Sequence, residues 1–413
     1  MNILMLGRWI PPPRRPVRST REFQIARHLA RHHQLTLAFI TDSREAAGPI
    51  TVLRSEFGEL EFAAIPRGWK SLASAVRLAS GESATLSYFR SEALRTRLAE
   101  RLRRTKYDLV FVSSSSMIQY ALDVSPSIPM VVDFGEVDSE WWARQAARGS
   151  FPAARFFQTE AARLRSAEAV AAGRASLCLT ETAEAAEIVQ AMSPGAPVRV
   201  IPSGVEVDPR GPSSGLEQAP TVVFGAWFRG EAGRSEALEF YRSIMPGVRA
   251  CVPEARFVIA SRESIPGGRG EKDAFGVEVA AGADPRALFH GRAVAVAPAR
   301  AGFDLRASVL EPMASGIAVV TTSGICERLG ASAGRDVRVA DAVADVGREL
   351  IFLLESGSRR EEIGASGRAF VEANFSWDAI TSRLDQLLAG LGKVGPGFKP
   401  TVKPQTVGVV RRG

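Results

Sequence analysis

Residues Gly302–Val320 read GFDLRASVLEPMASGIAVV and carry the clearest fold signal in this 413-residue chain. They predict a glycine-containing loop, a short helix over 308–315, a glycine stop and a buried strand over 317–321. A helix that starts in such a loop points unpaired backbone N–H groups and the positive end of its dipole outward. We therefore expect a diphosphate-type anion site at Ser308, with Glu311 one turn further on as an acceptor for sugar hydroxyls.

Short apolar runs alternate with helix-length amphipathic segments on both sides of this stretch. Continuous apolar runs are typical of strands that helices cover on both faces. The predicted strands cover 2–6, 35–40, 109–113, 130–133, 176–179, 199–201, 221–224, 256–260 and 293–297. The predicted helices cover 19–31, with a Ser19–Glu22 capping box, 160–173, 235–251, 343–355, 361–374 and 377–391. This alternation predicts an α/β protein with two Rossmann-like, doubly wound domains that face each other across a cleft.

Composition sets the expected domain boundaries. Residues 209–220 (PRGPSSGLEQAP) are rich in Pro, Gly and Ser and predict a linker. It separates an N-terminal acceptor-side domain, 1–208, from a second domain, 221–376, which is followed by the helix over 377–391. Residues 392–413 are basic, rich in Pro and Gly and without hydrophobic periodicity, so we expect a disordered tail.

Charge and cysteine content narrow the class of protein. The net charge is +7, but no nucleic-acid recognition motif accompanies it, so weak contact of the basic tail with an anionic lipid surface is the better prediction. The three cysteines lie far apart without metal spacing, which indicates a reducing compartment. His28 and His32 are one helical turn apart, but they lack an accompanying Glu and indicate a solvated helix end. No run approaches the ~20 apolar residues of a membrane span. We expect a cytoplasmic protein.

Four segments, read in order, resemble one protein family. They are Val200–Asp208 (VIPSGVEVD), Ala255–Ser261 (ARFVIAS), Val309–Val320 and Phe375–Trp377 (FSW). Their order and spacing are similar to those of the family 4 glycosyltransferases of the GT-B fold. A further run, Val132–Trp141 (VDFGEVDSEW), resembles the subgroup that is associated with exosortase and exopolysaccharide loci.

The resemblance implies transfer of a hexose from a nucleotide diphosphate sugar to a glycan or lipid-linked acceptor. It also implies retention of configuration, no metal and no other cofactor, and a role in exopolysaccharide or surface-glycan synthesis, in the cytoplasm or peripherally at the inner face of the membrane. The helix over 377–391 would cross back toward the first domain. Phe303 replaces a family Glu eight residues before Glu311, so a catalytically degenerate GT-B-like binding or scaffold protein stays open as the alternative.

The same resemblance assigns candidate residues. Its donor-binding set is Arg229, Arg234, Gly302, Phe303, Ser308, Val309, Leu310 and Glu311. Its candidate catalytic residues are Asp138, Asp304 and Glu311. Asp138 matches a first-domain His or acidic position of the family, and Asp304 would replace the missing Glu. Asp138 could equally cap a helix over 140–147. The basic pair, Arg229 and Arg234, could also be two solvated arginines.

On the acceptor side, the resemblance points to the loop after the first strand and to the turn before the linker. The candidates are Gly7, Arg8 and Ser203. For Ser203 the alternative is that it only serves the turn.

Overall fold

The computed structural model describes residues 1–8, 20–41, 47–64, 81–124, 127–207, 219–225, 231–261, 269–272, 278–281, 288–289, 291–298 and 305–392. The chain divides into two compact units. The first contains Met1–Pro202 and the last helix from Ile380 onward, and the second contains Ser203–Ala379. No helix in these ranges combines the length and the apolar character that crossing a membrane requires.

The first unit is built on a seven-stranded parallel sheet with the strand order β3-β2-β1-β4-β5-β6-β7. Strands β1 to β7 are Asn2–Gly7, Gln34–Thr41, Glu59–Ala64, Leu109–Ser113, Met130–Gly135, Leu177–Thr180 and Val198–Val200. Helices α1 to α8 are Arg21–His32, Ala47–Phe57, Ala84–Tyr88, Glu92–Arg104, Ile118–Ala121, Asp138–Arg148, Ala153–Arg174 and Ala183–Met192. A 3-10 turn, Ser115–Met117, follows β4. The strand order reverses between β1 and β4, and such a switch point is where doubly wound sheets bind ligands, beyond the carboxyl ends of the strands.

The second unit has a seven-stranded sheet of order β10-β11-β9-β8-β12-β13-β14, in which the β10–β11 pair is antiparallel and the other pairs are parallel. Strands β8 to β14 are Thr221–Gly225, Arg256–Ser261, Arg269–Lys272, Glu278–Ala281, Ala293–Ala297, Ala318–Thr321 and Arg338–Val339. Helix α9 is Glu231–Cys251. Helix α10 combines a π-helical turn, Arg306–Leu310, with an α-helical turn, Glu311–Ala314. Helices α11 to α13 are Ser323–Leu329, Val343–Glu355 and Gly357–Phe375, and the last helix, α14, is Trp377–Gly392, which belongs to the first unit from Ile380 on.

Both sheets are buried on both faces, which explains the continuous apolar strands. In β1, Leu4 and Leu6 contribute to the core on one face, while Ile3 and Met5 lie on the other, and all four are 0% exposed. Burying alternate residues on both faces removes apolar area from water on both sides of the sheet, at roughly 25 cal/mol per Å². The predicted α/β fold with two doubly wound sheets is confirmed.

Four strands were not predicted: β3, β10, β11 and β14. They lie at the edges of the sheets or one position in, where a strand is covered less completely and its sequence is less uniformly apolar. β3 reads ELEFAA, and Ala63 is its one fully buried residue.

The start of α1 and the unit boundary also differ from expectation. The residue that caps α1 is Thr20, whose hydroxyl accepts from the Phe23 N–H at 3.4 Å. The predicted capping box of Ser19 and Glu22 involves Ser19, which lies outside the described residues. The first unit ends at Pro202 rather than at 208. Residues 209–218 of the expected linker, 209–220, and residues 393–413 of the expected tail, 392–413, are not among the described residues.

Backbone contact is unusually close where α13 passes the end of α10. Gly316 ends α10 with φ +78°, as the glycine stop predicted, and a methyl group on Gly364 of α13 would overlap the Gly316 carbonyl oxygen. Gly364 therefore lets the helix lie directly on the turn that leads into β13.

Candidate functional site

Helix α10 follows β12 at the switch point of the second sheet and packs against β8 and β12. The sequence predicted that it begins at Ser308, which is not the case. Leu305 and Arg306 already have helical backbone, and Ser308 lies inside the helix with 1% exposure. The error arose because a serine resembles an N-cap, whereas the apolar residues Leu305, Val309 and Leu310 continue one buried helix face. Within the described residues, helical backbone therefore begins already at Leu305.

Three of the eight predicted donor residues and the predicted catalytic residue Asp304 cannot be placed. Gly302, Phe303, Asp304 and Arg229 lie outside the described residues. Arg234 belongs to α9, but its side chain is outside the description. The assignment of Gly302, Phe303, Arg229 and Arg234 to the donor site, and of Asp304 to catalysis, stays a prediction.

Glu311 lies at the point where α10 changes from π-helical to α-helical. Its N–H donates to the Arg306 carbonyl oxygen, and its carboxylate lies 3.9 Å from the Arg306 guanidinium. Both side chains are largely buried, at 17% and 24% exposure. A π-helical turn brings residues i and i+5 into register, so α-helical periodicity did not reveal this pair. Arg306 adds a cation that the sequence analysis did not consider.

Ser203 belongs to the second unit, whereas Gly7 and Arg8 belong to the first. Its neighbours hold it there: the Val205 N–H donates to the Phe375 carbonyl at 2.8 Å. A side chain at Gly204 would collide with the Trp377 ring, at 2.6 Å from its nearest atom. The turn thus allows the chain to pass directly over the tryptophan.

In the first unit, the predicted residues Arg8 and Asp138 meet beyond the carboxyl ends of β1 and β4. The Arg8 Nη1 atom lies 3.4 Å from Asp138 Oδ2, and the Ser114 hydroxyl donates to the same oxygen at 3.3 Å. Asp138 does not cap its helix, because Val137 holds the cap position of α6. Burial raises the pKa of Asp138 above its ordinary value, against the opposing effects of Arg8 and Ser114. The carboxylate keeps 25% exposure and so remains accessible.

Ser114 holds a strained backbone at this point. It is the one non-glycine residue of the described chain with a positive φ, +81°, and such conformations cost on the order of 1–3 kcal/mol. The turn directs the Ser114 hydroxyl to Asp138. The Ser114 hydroxyl oxygen also lies 3.1 Å from the Ser116 hydroxyl oxygen. Strain and a functional-group contact at one residue point to a site rather than to a simple connection.

Glu22 of α1 closes the site on the β1 side. Its Oε1 atom accepts the Arg8 backbone N–H at 2.9 Å, and a Cβ atom at Gly7 would lie 2.8 Å from that oxygen. Gly7 therefore makes room for the carboxyl. Burial raises the pKa of Glu22 to about 7, although hydrogen bonds from Arg8 and Ser113 oppose the rise. Near neutral pH this group can both accept and release a proton.

A second ion pair fixes α1 against the sheet. The Arg21 guanidinium makes two contacts with Asp133, at 2.7 and 3.2 Å, and donates to the Ile201 carbonyl at 2.7 Å. Asp133 is 2% exposed, and it lies near the end of β5. Two-point contact with a carboxylate sets the orientation of arginine, so this pair positions Glu22, the next residue along α1.

Glu168 of α7 holds Asp138 in position through contacts with the residues next to it. It is 0% exposed, and its Oε1 atom accepts the Ser115 hydroxyl at 2.6 Å and the Ser139 N–H at 3.2 Å. Burial raises its pKa to about 7, against the hydrogen bonds from Ser115 and Ser139, and the nearby Asp138 charge adds to the rise. The carboxyl links the end of β4 to the start of α6 and so sets the position of Asp138.

One switch point therefore brings together the carboxyls of Asp138, Glu22 and Glu168, the Arg8 guanidinium and the hydroxyls of Ser114 and Ser116. This arrangement can bind a hydroxyl-rich molecule and take a proton from it. Within the described ranges, no group of three or more His, Cys, Asp or Glu residues is placed to hold a metal ion. Arg8 and Asp138 were predicted from the sequence, whereas Glu22, Ser114 and Glu168 were not predicted as site residues.

Comparison with solved structures identifies the fold. Sucrose-phosphate synthase from Thermosynechococcus elongatus is 13% identical, with a TM-score of 0.59 over 94% of this chain and 98% of its own. HepE of Anabaena, solved with UDP and glucose, is 13% identical with a TM-score of 0.58, over 94% of this chain and 100% of its own. A glycosyltransferase from Rickettsia africae is 10% identical with a TM-score of 0.56, over 94% and 98%. The chain thus has the fold of GT-B glycosyltransferases.

Sequence comparison gives a shorter match. A GDP-mannose-dependent mannosyltransferase of Corynebacterium glutamicum, which acts on a monoacylated phosphatidylinositol monomannoside, is 38% identical over 81 residues. The match covers 19% of this chain and 21% of that protein, so it spans about a fifth of the relative. No protein-family profile matches the chain.

Proposed function

We propose that the chain is a glycosyltransferase of the family 4 type. It moves a hexose from a nucleotide diphosphate sugar to a glycan or lipid-linked acceptor, with retention and without a metal. The observation that carries the proposal is the fold likeness to sucrose-phosphate synthase and HepE, which extends over 94% of this chain. The short match to a GDP-mannose-dependent enzyme supports the same class of donor.

The second unit would hold the donor. Without a divalent ion, the charge of the leaving diphosphate must be met by helix N–H groups and basic side chains. The start of α10 would supply the helix N–H groups. Arg306 would be one of the basic side chains, and Arg229 and Arg234 remain candidates for the others. Glu311 would hydrogen-bond donor hydroxyls through its accepting oxygens.

The first unit would hold the acceptor. Asp138 would bind the acceptor hydroxyl and take its proton as the bond to the sugar forms, while Arg8 would hold the carboxylate charged. Glu22, with a pKa of about 7, lies on the other side of Arg8 and can receive or return a proton near neutral pH. Exopolysaccharide or surface-glycan synthesis at the inner face of the membrane is the cellular role that fits a lipid-linked acceptor.

Nucleotide binding tests the donor half of the proposal. UDP, GDP or ADP at 100 times its dissociation constant should stabilise the protein by about 2.7 kcal/mol, measured as a rise in thermal midpoint. We expect Glu311→Gln to weaken this stabilisation and Glu327→Gln, on an exposed face of α11, to leave it unchanged. If none of the three nucleotides raises the midpoint, the proposal fails.

Turnover tests the catalytic half. UDP-glucose and GDP-mannose would be incubated with a panel of glycan and lipid-linked acceptors, and sugar transfer would be followed by mass spectrometry. Transfer that disappears in Asp138→Asn supports the proposal. Nucleotide binding without transfer to any acceptor would favour the catalytically degenerate binding protein instead.

A further inference from the structure

An exposed aromatic cluster lies on the hairpin that α6 and α7 form. Trp141, Trp142, Phe156 and Phe157 form a continuous set of ring contacts, with centroid distances of 4.8, 5.5 and 5.9 Å along the chain of contacts. The Trp142 indole N–H donates to the Thr85 hydroxyl at 3.1 Å, which anchors the set. Trp141 and Phe156 remain 46% and 44% exposed. We call these four residues the aromatic ridge.

A groove with alanine walls lies beside the ridge, between the same two helices. It encloses about 630 Å³, and its rim carries Phe151 and Arg155. Phe151 is 80% exposed, the most exposed large apolar side chain of the described residues. Contiguous exposed apolar surface of this kind marks an interaction site, whereas scattered apolar residues do not.

The charges of the hairpin are segregated. The acidic residues of α7, Glu160 and Glu168, are 2% and 0% exposed and face the interior. Glu160 accepts the Ser83 hydroxyl and two backbone N–H groups there. Arg148 and Arg155 face solvent and form no ion pair with any residue in the described part of the chain.

Three acidic groups on or beside α6 reduce this excess without removing it, and one of them, Asp138, is paired with Arg8. Glu136 is offset by Arg144, which lies 3.5 Å away, and Glu140 is partly exposed. Arg165 of α7 is exposed as well. The surface therefore combines aromatic side chains with an excess of arginine.

We propose that this hairpin surface docks on an anionic lipid bilayer. Tryptophan and phenylalanine insert at the level of the lipid headgroups, where their rings leave water. The arginines pair with lipid phosphates, and each cation near an anionic surface adds to the affinity. The charge favours lipid over a second copy of the chain, because two such surfaces would repel each other. Docking does not depend on sugar transfer, so it can be tested even if the proposed enzymatic function fails.

Vesicle flotation with the full-length protein tests the proposal. The probes are vesicles of phosphatidylcholine alone and of phosphatidylcholine mixed with phosphatidylglycerol. We expect a higher partition coefficient for the mixed vesicles than for phosphatidylcholine alone, and Arg148→Gln with Arg155→Gln should lower the partition coefficient for the mixed vesicles roughly 30-fold. The matched control is Arg104→Gln, an exposed arginine on α4, which should leave it unchanged.

The aromatic contribution is separated by salt. Trp141→Ser with Phe156→Ser should lower binding by about tenfold or more, and this loss should persist at ~1 M salt, where the contribution of the arginines is screened. Phe352→Ser, in the second unit, is the control for loss of an exposed aromatic ring. If the double variant does not fold, Phe151→Ser serves instead, since that side chain is almost fully exposed.

Three results would overturn the proposal. The first is equal binding to both vesicle types. The second is binding that survives all the hairpin substitutions but disappears when the basic residues of 393–413 are neutralised, which would assign docking to the tail. The third is a dimer in sedimentation that the aromatic substitutions dissociate, with no vesicle binding, which would make the surface a self-association interface. UDP and GDP thermal shifts on the same variants report separately on the proposed function.

Discussion

Replacing Glu168 by glutamine should make the free energy of unfolding less dependent on pH. Burial raises the pKa of this carboxyl from 4.5 to about 7 in the folded protein. As the pH rises, the unfolded chain therefore loses the proton first, and folding becomes less favourable between these two values. At about 1.36 kcal/mol per pH unit, the full loss is roughly 3 kcal/mol, and most of it falls between about pH 5 and about pH 8.

The assay is urea unfolding of the wild type and of Glu168→Gln at both pH values. Glutamine keeps an oxygen that can accept from Ser115 and Ser139 but cannot ionise. The variant should gain roughly 2–3 kcal/mol of stability relative to the wild type on going from about pH 5 to about pH 8. Glu22 acts in the same direction in both proteins and cancels in the difference. Glu136→Gln, which removes a 72% exposed carboxylate, is the control. A stability difference that is equal at both pH values would refute the argument.

Three other outcomes are expected. Asp138→Asn should lower sugar transfer by about 10²–10⁴-fold in steady-state kinetics and leave the nucleotide-induced thermal shift unchanged; loss of both would mean a structural role. Gly364→Ala should lower the free energy of unfolding by about 1–3 kcal/mol, measured by thermal unfolding, because the added methyl group meets a backbone carbonyl. In the control, Gly347→Ala, the nearest atom to the added methyl group is 3.9 Å away, so this variant should stabilise α12 by up to about 1 kcal/mol. A thiol reagent should label the exposed Cys251 and spare Cys178, since burial raises the pKa of that thiol to about 12; labelling of Cys178 in the folded protein would contradict the structure.

The central strands could be predicted because they are covered on both faces. β4 and β12 have the predicted bounds, as does helix α12, whose apolar residues recur with helical periodicity. Edge strands lack that signal, so β3 and β14 were missed. The start of α10 was misplaced because a local capping preference competes with burial, and burial decided the outcome.

The site could be predicted only in part, for a different reason. Arg8 and Asp138 were named separately, but their contact joins residues 130 positions apart, which no local pattern encodes. Glu22 and Glu168 lie on amphipathic helices, where a carboxylate usually faces solvent. Their burial depends on how α1 and α7 pack on the sheet, and it produces the raised pKa of each. The strained φ of Ser114 likewise has no sequence signal, because serine rarely adopts it.

The membership of α14 in the first unit bears on how the protein is made. Ile380, Leu384 and Leu388 form a stripe that is 1% exposed, and Asp385 receives a hydrogen bond from His28 at 2.8 Å. A ribosome completes β1 to β7 long before it reaches these residues. The apolar surface of the nascent N-terminal half that this stripe covers therefore stays exposed until the entire second unit has been synthesised. Expression of residues 1–202 alone would leave that surface open permanently, and such a fragment is a natural substrate for chaperones rather than an independent domain.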